Sequence, residues 1–233
     1  MLMFTSKINE SFIQFYDTKK RLLKIMGAIF VIYFLHAFFM PALPNYFEYL
    51  HEKYSLAGID NIYEYTLPVI SMLLMFFAFV SDYTKKKYEL LTFYNASSFN
   101  SIMLFRWLYI AIPMNVIIVV TAPFYYRSIA FLDVQSLYLS IRFIPNVLFV
   151  TALFLLCMTM TKNGYAALVV TSTYLLLDIL SSARIFKIVS LGANSYNYYY
   201  SISPTYYLIN RLLLVVLSLL FIYVACKKSS KVR

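Results

Sequence analysis

Glycine is scarce in this chain: Gly27, Gly58, Gly164 and Gly192 are the only four in 233 residues. Loops that cradle phosphates need clustered glycines, so that main-chain N–H groups can approach the ligand, and no G-x-x-x-x-G-K-[ST] run occurs. A nucleotide cradle is therefore excluded. Histidine is just as sparse. His36 and His51 stand alone, whereas zinc hydrolases place two histidines one helical turn apart beside a glutamate, so both read as structural or interfacial residues. There is no G-x-S-x-G elbow and no span with two carboxylates of the kind an aspartyl protease needs. No catalytic residue, metal ligand or bound cofactor is expected, and the chain reads as a non-enzyme. The two cysteines, Cys157 and Cys226, fall inside apolar runs, which argues against a disulfide framework. Charge is low as well, at 13% of residues with only ten acidic ones.

What fills the chain instead is hydrophobic, at 62% of residues. Soluble domains are about 45–50% apolar and about 25% charged, so this composition belongs to lipid. The expected fold is an all-α integral membrane protein, residues 1–233 forming a single transmembrane domain with no room for a soluble one. Six apolar runs read as spans at Leu22–Leu43, Tyr65–Val80, Ile102–Phe124, Ile141–Met160, Gly164–Ser181 and Tyr207–Cys226. The fourth and fifth are joined by Thr161-Lys162-Asn163, a tight hairpin. Pro41 and Pro44 close the first span, while Pro68, Pro113 and Pro145 are read inside spans. The first apolar run begins only near Leu22, with Glu10 and Asp17 before it, so it reads as a retained span and not a cleaved leader.

Orientation follows from lysine and arginine, which concentrate on the cytoplasmic side of membrane proteins. Fourteen of the 20 basic residues, among them Lys19–Lys24, Lys85–Lys87, Arg106, Lys162 and Lys227–Arg233, share one side. Six lie on the other: Lys53, Arg127, Arg142, Arg184, Lys187 and Arg211. Both termini are thus expected in the cytoplasm, with the protein multi-pass in a cell membrane. The net charge of +10 belongs to these flanking clusters and gives no reason to expect nucleic acid.

Three segments outside the spans carry a pattern of their own. Over residues 1–21, Phe4, Ile8, Phe12 and Phe15 recur at helical spacing, which reads as an amphipathic helix along the inner leaflet, or else a frayed tail. Asn45–Glu64 is acidic and reads as a short outer loop. Residues 182–206 combine Ile185, Phe186, Ile188, Val189 and Leu191 with a Gly192 break and a run of tyrosines. That is too apolar for a solvated loop and too broken for a span, so short helices re-entering the outer leaflet are expected. Two charges lie inside apolar runs, Asp178 and Arg211. Each is expensive in lipid, so they are expected to pair and close the outer ends of the last two spans, or to act as a gate or substrate contact.

The connection between the second and third spans is the most informative stretch. Lys85-Lys86-Lys87 precede Tyr88, Glu89, Leu90, Leu91, Phe93 and Tyr94; a polar turn with Ser97 and Ser98 follows, and Arg106 lies just inside the next run. On physical grounds this is a short helix on the inner surface presented to a partner, or a loop anchored by its lysines. The pattern resembles the coupling-helix loop of type-2 ABC exporter permeases, a glutamate, a leucine run, a serine turn and a basic residue entering the third span. The turn proline of that family is missing here, and Arg106 stands where lysine is usual. The six-span layout with an interface helix and re-entrant helices is similar too. The resemblance implies a permease subunit coupled through Tyr88, Glu89, Leu91 and Tyr94 of the 82–101 loop to separate ABC ATPase subunits. It also implies a second permease copy or a homologous permease as a homo- or heterodimer partner in the lipid bilayer. The cargo so implied is an amphipathic peptide, an antibiotic-like molecule or a lipid-linked compound. The competing expectation is a non-transporting six-span protein serving immunity, sensing or assembly.

Overall fold

The structure, a computed structural model, describes residues 19–41, 62–84, 99–128, 134–181, 185–192 and 204–229. Among these residues the protein is helical, with no strand. The helices are α1 (Lys19–Phe39), α2 (Leu67–Thr84, led by a π turn at Ile62–Thr66), α3 (Phe99–Tyr125), α4 (Val134–Ile141), α5 (Ile144–Thr161), α6 (Gly164–Leu180) and α7 (Pro204–Ser229). Five segments are long and apolar enough to cross a membrane: Arg21–Phe39, Ile62–Thr84, Asn100–Tyr125, Ile144–Thr161 and Leu208–Ser229. The chain is therefore an all-α, membrane-embedded protein. The sixth apolar helix, α6, has 17 residues, which at 1.5 Å per residue spans about 25 Å of a hydrocarbon layer about 30 Å thick.

α5 is the hub. It packs against α7, α6 and α2, while α1 and α4 lie against α3. Val147, Val150, Ala152, Phe154 and Met158 give α5 an almost fully buried surface. Its Thr151 hydroxyl donates to Val147 O at 2.7 Å and accepts from Trp107 Nε1 of α3 at 3.0 Å, a bond of the kind that holds helices together where apolar burial cannot. Outward faces are apolar instead. Val31, Ile32 and Phe39 of α1 and Leu212, Leu219 and Tyr223 of α7 are exposed, which places hydrocarbon side chains against lipid and polar ones inside.

Helix ends carry their own signals. Thr161-Lys162-Asn163 makes the expected hairpin: Lys162 takes a left-handed conformation and Asn163 Oδ1 accepts from Tyr165 N at 2.9 Å and Ala166 N at 3.4 Å, capping α6. α1 stops at Phe39, four residues short of the expected Leu43, and its last carbonyls are met by Arg127, which donates to Ala37 O at 2.8 Å and Phe38 O at 2.5 Å. A cation at a helix C-terminus also suits the helix dipole.

The three prolines expected inside spans all fall within apolar helical segments: Pro145 in the first turn of α5, where a missing N–H costs nothing, Pro68 just after the π turn of Ile62–Thr84, and Pro113, with Pro123, inside α3. The acidic-loop reading of Asn45–Glu64 is corrected at its end, because Glu64 is part of the π turn and only 1% exposed. The short helix α4 has no counterpart in the sequence reading. The interface helix up to Thr18 and most of the 82–101 loop lie outside the described residues.

Candidate functional site

Charged side chains buried in the bundle collect at its two ends. At the first end, where α2 finishes and α3 begins, the Arg106 guanidinium forms an ion pair with Asp82, and both side chains are wholly buried. Arg106 also donates to Ala78 O at 3.4 Å and lies over the Phe79 ring at 5.4 Å. The pair ties the last turn of α2 to the first turns of α3, so the two helices leave the bundle as one unit. The sequence reading had counted Arg106 among the flanking cations; the structure corrects this. Asp82 and Arg106 stand at equal depth on consecutive antiparallel spans, and that juxtaposition was the available signal. Tyr88, Glu89, Leu91 and Tyr94, on the connection these helices bracket, lie outside the described residues.

At the opposite end the chain does something lipid normally forbids. Beyond α6 and its cap at Ser181, the described residues 185–192 are neither α-helix nor strand and run into the buried interior: a 3₁₀ turn at Lys187–Val189, an extended Ser190 and a bend at Leu191, with Ser190, Leu191 and Gly192 buried. Non-helical backbone at membrane depth persists only where protein satisfies its peptide groups. Here side chains do so at every carbonyl of Ile188–Leu191. Asn210 of α7 donates to Ile188 O (2.6 Å) and Ser190 O (3.1 Å). Tyr174 of α6 donates to Val189 O (2.5 Å). Leu191 O accepts from Asn146 of α5 (3.3 Å) and Arg211 of α7 (3.2 Å), while Leu191 N donates to Asp178 of α6 (2.9 Å). The stretch is a plug bonded to three helices at once.

This geometry changes the reading of Asp178 and Arg211. The expected direct pair is absent among the described residues; the main chain of Leu191 stands between the two charges. Its N–H, from the peptide to Ser190, donates to the carboxylate, and its C=O, from the peptide to Gly192, accepts from the guanidinium, so both bonds are charge-assisted. The structure does bring both residues into one network. Tyr65 of the π turn donates to the same Asp178 oxygen at 3.0 Å, Arg211 donates to Asn146 Oδ1, and Asn146 donates to Glu64 O at 3.2 Å. The π turn is what presents the Glu64 carbonyl sideways to Asn146. Gly192 packs so tightly that a Cβ would overlap the Tyr65 hydroxyl.

Asn146, Asn210, Tyr65 and Tyr174 escaped the sequence reading. Single amides and tyrosines in apolar runs leave no periodic trace, although a lone asparagine in a span is costly enough to imply a partner. Of the 182–206 segment, where short re-entrant helices are expected, the structure describes 185–192 before α7, and there it has a 3₁₀ turn and a bend buried in the bundle in place of short α-helices. Among the described residues no group of histidine, cysteine, aspartate or glutamate could hold a metal ion. Comparison with known protein families, with curated proteins and with solved structures gave no match.

Proposed function

We propose that this chain is the permease subunit of an ATP-driven exporter, crossing a cell membrane six times with α6 as the fifth span and both termini in the cytoplasm. ATP is hydrolysed by separate ABC ATPase subunits, and the path forms with a second permease copy or a homologous chain. The cargo class is an amphipathic peptide, an antibiotic-like molecule or a lipid-linked compound. On this reading the plug faces outward and the Asp82–Arg106 end faces the ATPase.

The observation that carries the proposal is the buried Asp82–Arg106 pair at the root of the lysine-rich connection. A coupling element is useful only if force on it reaches the spans, and an ion pair fixing both of its ends to one rigid unit supplies that. The pair supports the reading alongside the resemblance of Glu89, Leu90-Leu91 and Ser97-Ser98 to a coupling loop. Charge reversal by Glu89→Lys is expected to leave ATP hydrolysis by the reconstituted complex in place while transport falls at least tenfold, about 1.4 kcal/mol of lost coupling. Unchanged coupling would remove Glu89 from the role. One observation favours the non-transporting alternative: the outer end is pinned shut by the plug, as suits a static immunity, sensor or assembly protein. Such a protein would show no dependence on ATP at all.

A further inference from the structure

The side chains around Ile188–Leu191 bond its main chain. Asp178 accepts the Leu191 N–H, Arg211 and Asn146 supply the Leu191 carbonyl, and Asn210 spans the carbonyls of Ile188 and Ser190. A peptide that takes the same 3₁₀ turn and bend carries these groups at these intervals, and main-chain hydrogen bonds of this kind are a recurring recognition mode. Selectivity enters at two positions. The Leu191 side chain is fully buried, which calls for an aliphatic residue. The next residue has room for no side chain beside the Tyr65 hydroxyl, which calls for glycine.

We infer that Tyr65, Asn146, Asp178, Asn210 and Arg211 form a main-chain-binding site, filled in cis by Ile188–Gly192, whose ligand in trans is a peptide that takes the same turn, with an aliphatic residue followed by glycine. The inference deepens the permease reading by choosing a peptide among the cargo classes, and it rests on that reading only for calling the peptide cargo. A tethered occupant competes at an effective concentration in the millimolar range, so a free peptide gains access when the cis stretch is loosened. Gly192→Ala does this by driving a Cβ into Tyr65, and Leu191→Ala by removing the buried side chain that anchors the cis stretch.

The test uses the purified full-length protein and a fluorescein-labelled peptide with the sequence of residues 187–192, Lys-Ile-Val-Ser-Leu-Gly, followed by anisotropy. The Gly192→Ala chain is expected to bind it at least tenfold more tightly than the parent. Adding Asp178→Leu should abolish the gain, and a peptide methylated on the leucine nitrogen, which has no N–H for Asp178, should not bind. Should Gly192→Ala fail to fold, Leu191→Ala and the parent chain at millimolar peptide carry the same comparison. Equal binding of the methylated and unmethylated peptides would overturn the site, as would no binding by monodisperse loosened variants. That failure would leave the Glu89 coupling experiment untouched, so the two proposals fall separately.

Discussion

Arg106→Leu is expected to destabilise the bundle by about 3–5 kcal/mol, the range for removing one partner of a buried ion pair and leaving the other charge behind. Asp82 would remain wholly buried without its guanidinium. The double replacement Asp82→Leu/Arg106→Leu should recover most of the loss, since an apolar pair of similar volume is often neutral or stabilising at such a site. Unfolding of the purified protein in mixed micelles measures both. An ordinary hydrogen bond between membrane helices averages only about 0.6 kcal/mol, so a loss several times larger identifies the uncompensated charge. A double variant as unstable as the single one would contradict the account. Restored stability without restored transport would separate packing from coupling at this end.

Asp178→Leu should have the second-largest effect, at the other end. It strips the acceptor from the Leu191 N–H and the Tyr65 hydroxyl together, and a buried donor left unsatisfied costs about 1–3 kcal/mol. The combined loss is about 2–6 kcal/mol, concentrated in the plug. Hydrogen exchange at the Leu191 amide should therefore accelerate about 30-fold or more, a loss of about 2 kcal/mol corresponding to about one and a half factors of ten. Asp178→Asn keeps one carbonyl oxygen as acceptor and should lie between the two. Unaltered exchange at Leu191 in the Asp178→Leu protein would mean that the plug is held by something other than this carboxylate.

Most of the fold was legible because long apolar runs are a strong signal. Five of the expected spans match helical segments long enough to cross a membrane to within a few residues at most ends, the Gly164–Ser181 run is the shorter helix α6, and the Thr161–Asn163 hairpin is where the sequence puts it. Failures have physical causes. α1 ends early because Arg127, 90 residues away from Ala37, supplies its cap, and distant caps are invisible in a local pattern. Glu64 looked solvated because it closes an acidic run, yet the π turn carries it inside. Arg106 looked like one more flanking cation until α2 and α3 were placed side by side. The site was harder still. Asp178 and Arg211 are singled out by their cost in lipid, but no sequence argument places the main chain of residue 191 between them. Such a bridge depends on tertiary placement of irregular chain, which periodicity cannot encode. The coupling residues Tyr88, Glu89, Leu91 and Tyr94 rest on sequence pattern alone.

The central claim is that this membrane-embedded chain works with an engine made by another polypeptide. The direct measurement is nucleotide hydrolysis by the protein purified under mild detergent from its own membranes. The account predicts a stoichiometric companion carrying a G-x-x-x-x-G-K-[ST] loop, vanadate-sensitive ATP hydrolysis, and loss of both when residues 85–94 are replaced by a glycine-serine linker. Cargo movement by the chain alone in sealed vesicles, with no hydrolysing companion, would contradict it.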